Sequence, residues 1–108
     1  MLFDVRTYRC KPGTINKHLA LYKELGMGPQ TAALGGPPFA YLVAETGEIN
    51  TYLHIWQYKD AGDRAARRAV MMADAGWQHY LAESAKLGAL EHQQNSHMVP
   101  APFWTPKG

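Results

Sequence analysis

Tyr52-Leu53-His54-Ile55-Trp56-Gln57-Tyr58 alternates strictly between two kinds of side chain. Successive strand residues face opposite sides of a sheet, so Leu53 and Ile55 share one face while Tyr52, His54, Trp56 and Tyr58 share the other. A face turned to water carries polar, flexible residues; this one carries large rings with hydrogen-bonding tips. Both faces therefore expect company. The expectation is that helices cover the aliphatic side and that a cavity or a second subunit covers the aromatic side.

Working outward, Leu2 to Cys10 reads as a first strand with Phe3 and Val5 on one face and Asp4, Arg6 and Tyr8 on the other. Lys11-Pro12-Gly13 breaks it, and Thr14 is placed to cap a helix in which Ile15, Leu19, Tyr22 and Leu25 recur at helical spacing. Gly26 and Gly28-Pro29 are expected to end that helix; Gln30 to Leu34 permits a further short one before Gly35-Gly36-Pro37-Pro38. Phe39 to Glu45 reads as a second strand, and the loop Thr46 to Asn50 returns the chain into the aromatic strand. Asp60, with Asp63 three residues on, opens a helix that runs to Asp74. Asp74-Ala75-Gly76 looks like a break and recap, after which Trp77, Tyr80, Leu81 and Ser84 share one helical face as far as Gly88. Leu90 to Val99 reads as a fourth strand. The prolines at 100, 102 and 106 make the remainder an extended tail, in which Phe103 and Trp104 are expected to find a surface.

The order β-α-β-β-α-β predicts a split βαβ arrangement, with strands one and three central in an antiparallel sheet and both helices on one face. In that arrangement Phe3, Val5, Leu53 and Ile55 meet the helices. Asp4, Arg6, Tyr8, His54, Trp56 and Tyr58 gather on an open face too apolar to remain exposed. Two such sheets packed face to face close a barrel-like cavity, so a homodimer is expected.

A length of 108 residues makes one domain, 1–108, able to bury roughly two-thirds of the surface its unfolded chain exposes. A net charge of +2, with no basic run beyond Arg67-Arg68, carries no electrostatic footprint for nucleic acid. Charged residues at 19% alongside three Trp, six Tyr and three Phe leave apolar surface to spare, which favours an oligomer. The single cysteine, Cys10, excludes an internal disulfide and reads as a small apolar strand residue. No apolar stretch approaches the ~20 residues of a membrane span, and no basic-then-apolar leader opens the sequence, so a cytoplasmic location is expected.

Several of these residues also carry a family likeness. Val5-Arg6-Thr7-Tyr8 precedes Lys11-Pro12-Gly13; His54 to Tyr58 precedes Asp63-Arg64-Ala65-Ala66-Arg67-Arg68; Gly76-Trp77 precedes Tyr80-Leu81; and Val99-Pro100-Ala101-Pro102-Phe103 closes the chain. In this order and spacing the chain resembles the NIPSNAP family. That resemblance implies a dimeric α/β barrel of ferredoxin-like α+β protomers (βαββαβ, four-stranded antiparallel sheet) with an extended C-terminal tail over 99–108. Ala75 stands where the family often has proline, which softens the break between the last two helices, and Glu48 adds a carboxylate at the hairpin tip. The related barrel superfamily includes cofactor-independent monooxygenases, haem-degrading enzymes and stress-induced dimers, so the fold does not choose a chemistry.

The candidate site is read from the aromatic face: Arg6, Tyr8, Tyr41, His54, Trp56 and Tyr58, lining a cavity for a hydrophobic or aromatic small molecule, with Tyr8, Tyr41, Trp56 and Tyr58 reading at the least as the seam of a dimer. If the protein is an enzyme, His54 and Arg6 are the catalytic candidates, one accepting a proton and the other stabilising an oxyanion. His54 and His97 are the candidates for a haem-binding alternative, and a non-catalytic assembly module is the other. A mid-strand arginine needs an anion; Asp4 on the same face is the preferred structural partner, with Glu45 another, and a bound carboxylate or enolate is the functional one. Metal binding is not expected: His92 and His97, five apart on a strand, face opposite sides, and His18 and His79 fall on helices away from the sheet. No cofactor is expected. Arg64-Arg67-Arg68 reads as a solvated helix face, with Asp60 and Asp63 each four residues ahead of an arginine.

Overall fold

A computed structural model describes residues 1–107; Gly108, at the end of the tail, lies outside the described residues. The elements are β1 (Leu2–Cys10), α1 (Ile15–Leu21), a π-helical turn (Tyr22–Gly26), α2 (Met27–Leu34), β2 (Ala40–Val43), β3 (Thr51–Tyr58), α3 (Ala61–Ala73), α4 (Ala75–Leu87) and β4 (Leu90–Met98). The four strands form one antiparallel sheet in the order β2-β3-β1-β4, the expected ferredoxin-like α+β arrangement.

Local chemistry accounts for most boundaries. At the start of α3 the Asp63 amide donates to Asp60 Oδ1 at 2.8 Å, while Asp63 Oδ2 accepts from the Lys59 amide at 2.9 Å. Two otherwise orphaned donors are thereby satisfied reciprocally. Asp74 ends α3 and caps α4, accepting from the Trp77 amide at 2.8 Å, so a carboxylate makes the break that Ala75 by itself does not impose. Thr14 occupies the position before α1 but is no side-chain cap; its hydroxyl donates back to the Lys11 carbonyl at 2.6 Å. Gly35 and Gly88 end α2 and α4 in the left-handed region, where a Cβ is disfavoured.

The first helix departs from expectation at its end. Gly26 and Gly28-Pro29 do not stop it: the chain passes through the π-helical turn directly into α2. Gly26 instead marks a close approach, since a Cβ built there stands 2.9 Å from the Tyr22 ring and 3.0 Å from the Tyr80 ring.

The larger correction concerns the sheet faces. The register sets Asp4 opposite Trp56, Arg6 opposite His54, Tyr8 opposite Tyr52 and Tyr41 beside His54. This is the face the helices cover. Trp56 and Tyr58 pack with Tyr22, Leu34, Met71, Trp77 and Tyr80, while Tyr52 packs with Cys10 and Ala89. Leu53, Ile55 and Val5 lie half-buried on the opposite, uncovered face, together with Phe3. The expected assignment is therefore inverted. The helices carry partners for polar-tipped side chains: Arg64 Nε donates to Asp4 at 2.9 Å, and His18 Nε2 stands 2.6 Å from the Tyr52 hydroxyl. Buried polar groups go where hydrogen bonds are available.

On the uncovered face Phe3 meets Phe39 edge-on, with ring centroids 5.3 Å apart, and the tail brings Trp104 to 6.3 Å from Phe3. Phe103 finds no such surface and is 92% exposed. Among the described residues no helix is long and apolar enough to cross a membrane.

Candidate functional site

The helix-covered face does not close completely. Between β1, β2 and β3 below and α3 and α4 above lies a cavity of about 230 Å³. Its wall includes Arg6, Tyr8, Tyr41 and His54, four of the six residues expected to share a site. Trp56 and Tyr58 do not reach it. They line a separate and more open groove of about 600 Å³ near Gly35, Gly36 and Arg67. Residues on one strand face share a side, but β3 is long enough to pass beneath two hollows.

Ring geometry defines the cavity floor. The planes of Tyr8 and His54, and of Tyr41 and His54, lie within 10° of parallel at centroid distances of 5.2 and 4.9 Å. Tyr52 continues the series, 7° from Tyr8 and 5° from Tyr41. Antiparallel pairing produces this directly, because side chains opposite and diagonal across neighbouring strands stand side by side. Tyr22 carries the stacking upward, 5.3 Å from Tyr41, and its hydroxyl donates to Gln30 Oε1 at 2.6 Å. Burial pushes the Tyr22 and Tyr80 phenols up to about 12, and those of Tyr41 and Tyr52 higher still. The phenols of Tyr22, Tyr41, Tyr52 and Tyr80 are therefore neutral.

His54 has a defined state. Trp56 Nε1 donates to its Nδ1 at 2.6 Å, which leaves the ring proton on Nε2. Burial, then the Arg6 guanidinium, lower its pKa to about 3. At neutral pH His54 is an uncharged imidazole and a weak base. Trp56 thus holds the His54 ring by a hydrogen bond and does not form part of the cavity wall.

Arg6 and Asp4 form the expected pair, with Nη1 at 3.2 Å from Oδ2, and Arg6 Nε donates to the Tyr8 hydroxyl at 2.9 Å. Asp4 is fully buried and also accepts from Arg64 at Oδ2 and from Asn95 at Oδ1, the latter at 3.1 Å. Burial raises its carboxyl, but the hydrogen bonds from Asn95 and Arg64 and the two guanidiniums outweigh that, holding it below the usual carboxylate range. Glu45 takes no part in this cluster and is exposed.

The reading of α3 as carrying a solvated basic face fails. Ala65, Ala66, Ala69 and Val70 are among the exposed residues of α3, whereas Arg64, Arg67 and Arg68 are all partly buried. Arg64 holds Asp4, and Arg67 bridges Asp63 at 2.9 Å and donates to the Leu34 carbonyl at 2.8 Å. Arg68 lines the cavity beside Met71. The missed signal was periodicity: Arg64, Arg68 and Met71 follow the same i, i+4, i+7 stripe. His18 was also misplaced; it is buried against Tyr52, with its Nδ1 lacking a partner. His92 and His97 do face opposite sides, paired with Arg9 and Asp4. Among the described residues no three His, Cys, Asp or Glu side chains stand close enough together to hold a metal.

Comparison with known proteins bears on this architecture. The model of the NIPSNAP family matches residues 3–105. A protein NipSnap homolog from Dictyostelium discoideum is 28% identical over 91 residues, covering 83% of this chain but only 40% of that protein, so the chain spans less than half its relative's length. The crystal structure of a NIPSNAP domain protein from Burkholderia xenovorans superposes with a TM-score of 0.88 at 31% identity, over 98% of this chain and all of that one. A putative antibiotic biosynthesis monooxygenase from Nitrosomonas europaea superposes at 0.64 with 13% identity, over 93% of this chain and 98% of that one, which is a likeness of fold alone.

Proposed function

The chain belongs to the NIPSNAP family, and on that footing we propose that it binds a compact planar small molecule in the cavity between its sheet and its helices. The observation that carries this reading is the floor of near-parallel rings from Tyr8, Tyr41, Tyr52 and His54 beneath a space of about 230 Å³. Pockets of this kind combine apolar walls with a few directed polar groups, and the edges of a stacked row of rings pack T-shaped against the face of a planar ligand. The volume suits a ligand of one or two fused rings, much smaller than a haem. In this reading His54 is a donor through Nε2, not the proton acceptor of a cofactor-independent oxygenase, because its pKa of about 3 leaves it too weak a base.

We propose further that the protein is a homodimer joined through the uncovered sheet face. Phe39, Leu42, Met98 and Val99 are between 46% and 70% exposed there, beside half-buried Leu53 and Ile55. A contiguous apolar surface of this sort marks an interface.

The cavity is tested by thermal shift against a panel of one- and two-ring aromatics. Ser84 lines the cavity from α4, and Ser84→Phe fills it. The expected result is ligand-dependent stabilisation in the parent protein that disappears in Ser84→Phe, with the oligomeric state unchanged in light scattering. Stabilisation that persists in Ser84→Phe assigns binding elsewhere and overturns the reading.

A further inference from the structure

Among the described residues Arg68 is a cation without a counter-ion. Its neighbours on the α3 stripe fix its direction: Arg64 reaches down to Asp4 on β1, and Met71 is 1% exposed, so the residue between them also faces the sheet. It lines the cavity together with Arg6. Yet among the described residues it makes no ion pair and no side-chain hydrogen bond, whereas Arg6, Arg64 and Arg67 each make at least one.

The charge count around it is one-sided. The charged groups facing Arg68 are Arg6 and Asp4 from β1 and Arg64 from its own helix, with the Tyr58 phenol of β3 nearby. Both Asp4 oxygens are already occupied, Oδ2 by Arg6 and Arg64 and Oδ1 by Asn95. Among the described residues no aspartate or glutamate lines the cavity. Three guanidiniums thus share one carboxylate, and the surplus charge lies at the cavity wall. Burial, then Arg6 and Arg64, push the Arg68 pKa down, which is the mark of a charge held at a cost in free energy.

Resting on the cavity reading above, we infer that the ligand is a planar monoanion whose charged oxygens are held by the Arg68 guanidinium, with its ring body on the Tyr8–His54–Tyr41 floor. Arginine presents paired N–H donors that match a carboxylate in bidentate fashion, and an ion pair formed away from water is stronger than the same pair in bulk solvent. Arg6 adds to the field there, and with its Nε and Nη1 committed to Tyr8 and Asp4 only its Nη2 is left for contact.

The test uses benzoate, 2-naphthoate and indole-3-acetate at pH 7.5, each against its own carboxamide, by titration calorimetry on the full chain. The expected result is that at least one carboxylate binds ten-fold or more tightly than its amide. Arg68→Gln is expected to remove that preference, bringing carboxylate affinity down to that of the amide, and Arg68→Lys to retain part of it. Because Arg68→Gln deletes an unpaired cation beside two others, its melting temperature is expected to rise, which separates lost binding from lost folding. Equal affinity for acid and amide, or a carboxylate affinity untouched by Arg68→Gln, overturns the anion inference and leaves the cavity reading standing. If neither acids nor amides bind, the cavity reading fails and this inference fails with it.

Discussion

Asp4 carries its charge inside the protein because two guanidiniums and an amide reach it at once. Removing one side of such a buried cluster leaves the other uncompensated, which typically costs about 3–5 kcal/mol. Asp4→Asn is expected to lower the unfolding free energy in urea by that order, and a loss below about 1 kcal/mol would show that the cluster is dispensable. His54 makes the complementary prediction with pH. Its pKa falls from 6.5 in the unfolded chain to about 3 in the folded one. Below pH 6.5 the unfolded chain therefore takes up a proton that the folded protein refuses. Stability is full above that pH and is lost as pH falls towards 3, at up to about 1.4 kcal/mol per pH unit for one such histidine. Burial shifts His18 in the same direction, so it adds to the slope. Asp4, held below the usual carboxylate range, gives way only at lower pH. Urea titrations between pH 4 and 7 check this: the slope should shrink by about one proton in His54→Gln, and an unchanged slope would reassign the effect.

At the level of elements, the π-helical turn and α4 are locked by the close approach at Gly26. Alanine is the better helix former by about 1 kcal/mol, but overpacking a tight contact costs about 1–3 kcal/mol. With two rings at 2.9 and 3.0 Å the packing cost wins, and Gly26→Ala is expected to lower the melting temperature. A raised melting temperature would mean that Tyr22 and Tyr80 can swing aside. The same packing explains why a glycine-rich stretch does not end the helix here: burial against Tyr80 stabilises what local propensity disfavours. In α3 the usual division of a helix is reversed, with alanines outside and arginines inside. Periodicity alone marks both faces of such a helix without saying which one is wet.

For the whole molecule, the uncovered sheet face is the surface through which the proposed dimer would form. Ile55 sits near its centre, paired with Val5 on β1 and Ala40 on β2. Ile55→Glu places a charge there while leaving the helix-covered core untouched. The expected outcome is a monomer in light scattering with the circular dichroism of the parent protein. A dimer that survives this change would place the interface elsewhere, the exposed side chains of Val70 and Met72 on α3 being the next candidates.

Element order, strand pairing and the grouping of residues on shared faces follow from short-range rules, and so they were legible in the sequence. The two-residue alternation of β1 and β3 put Arg6, Tyr8, His54 and Trp56 on one side, and the Asp60 and Asp74 caps marked the two later helices. Alternation is symmetric, however: it says which residues travel together and not which face the helices take. That choice fell to tertiary structure, because it depends on whether Arg64, His18 and the buried rings of Tyr22, Trp77 and Tyr80 can meet the aromatic face better than the aliphatic one. The cavity, the division of Trp56 and Tyr58 from it, and the unpaired charge of Arg68 are all consequences of that one packing decision. Each depends on contacts between residues distant in sequence, where local pattern carries no information.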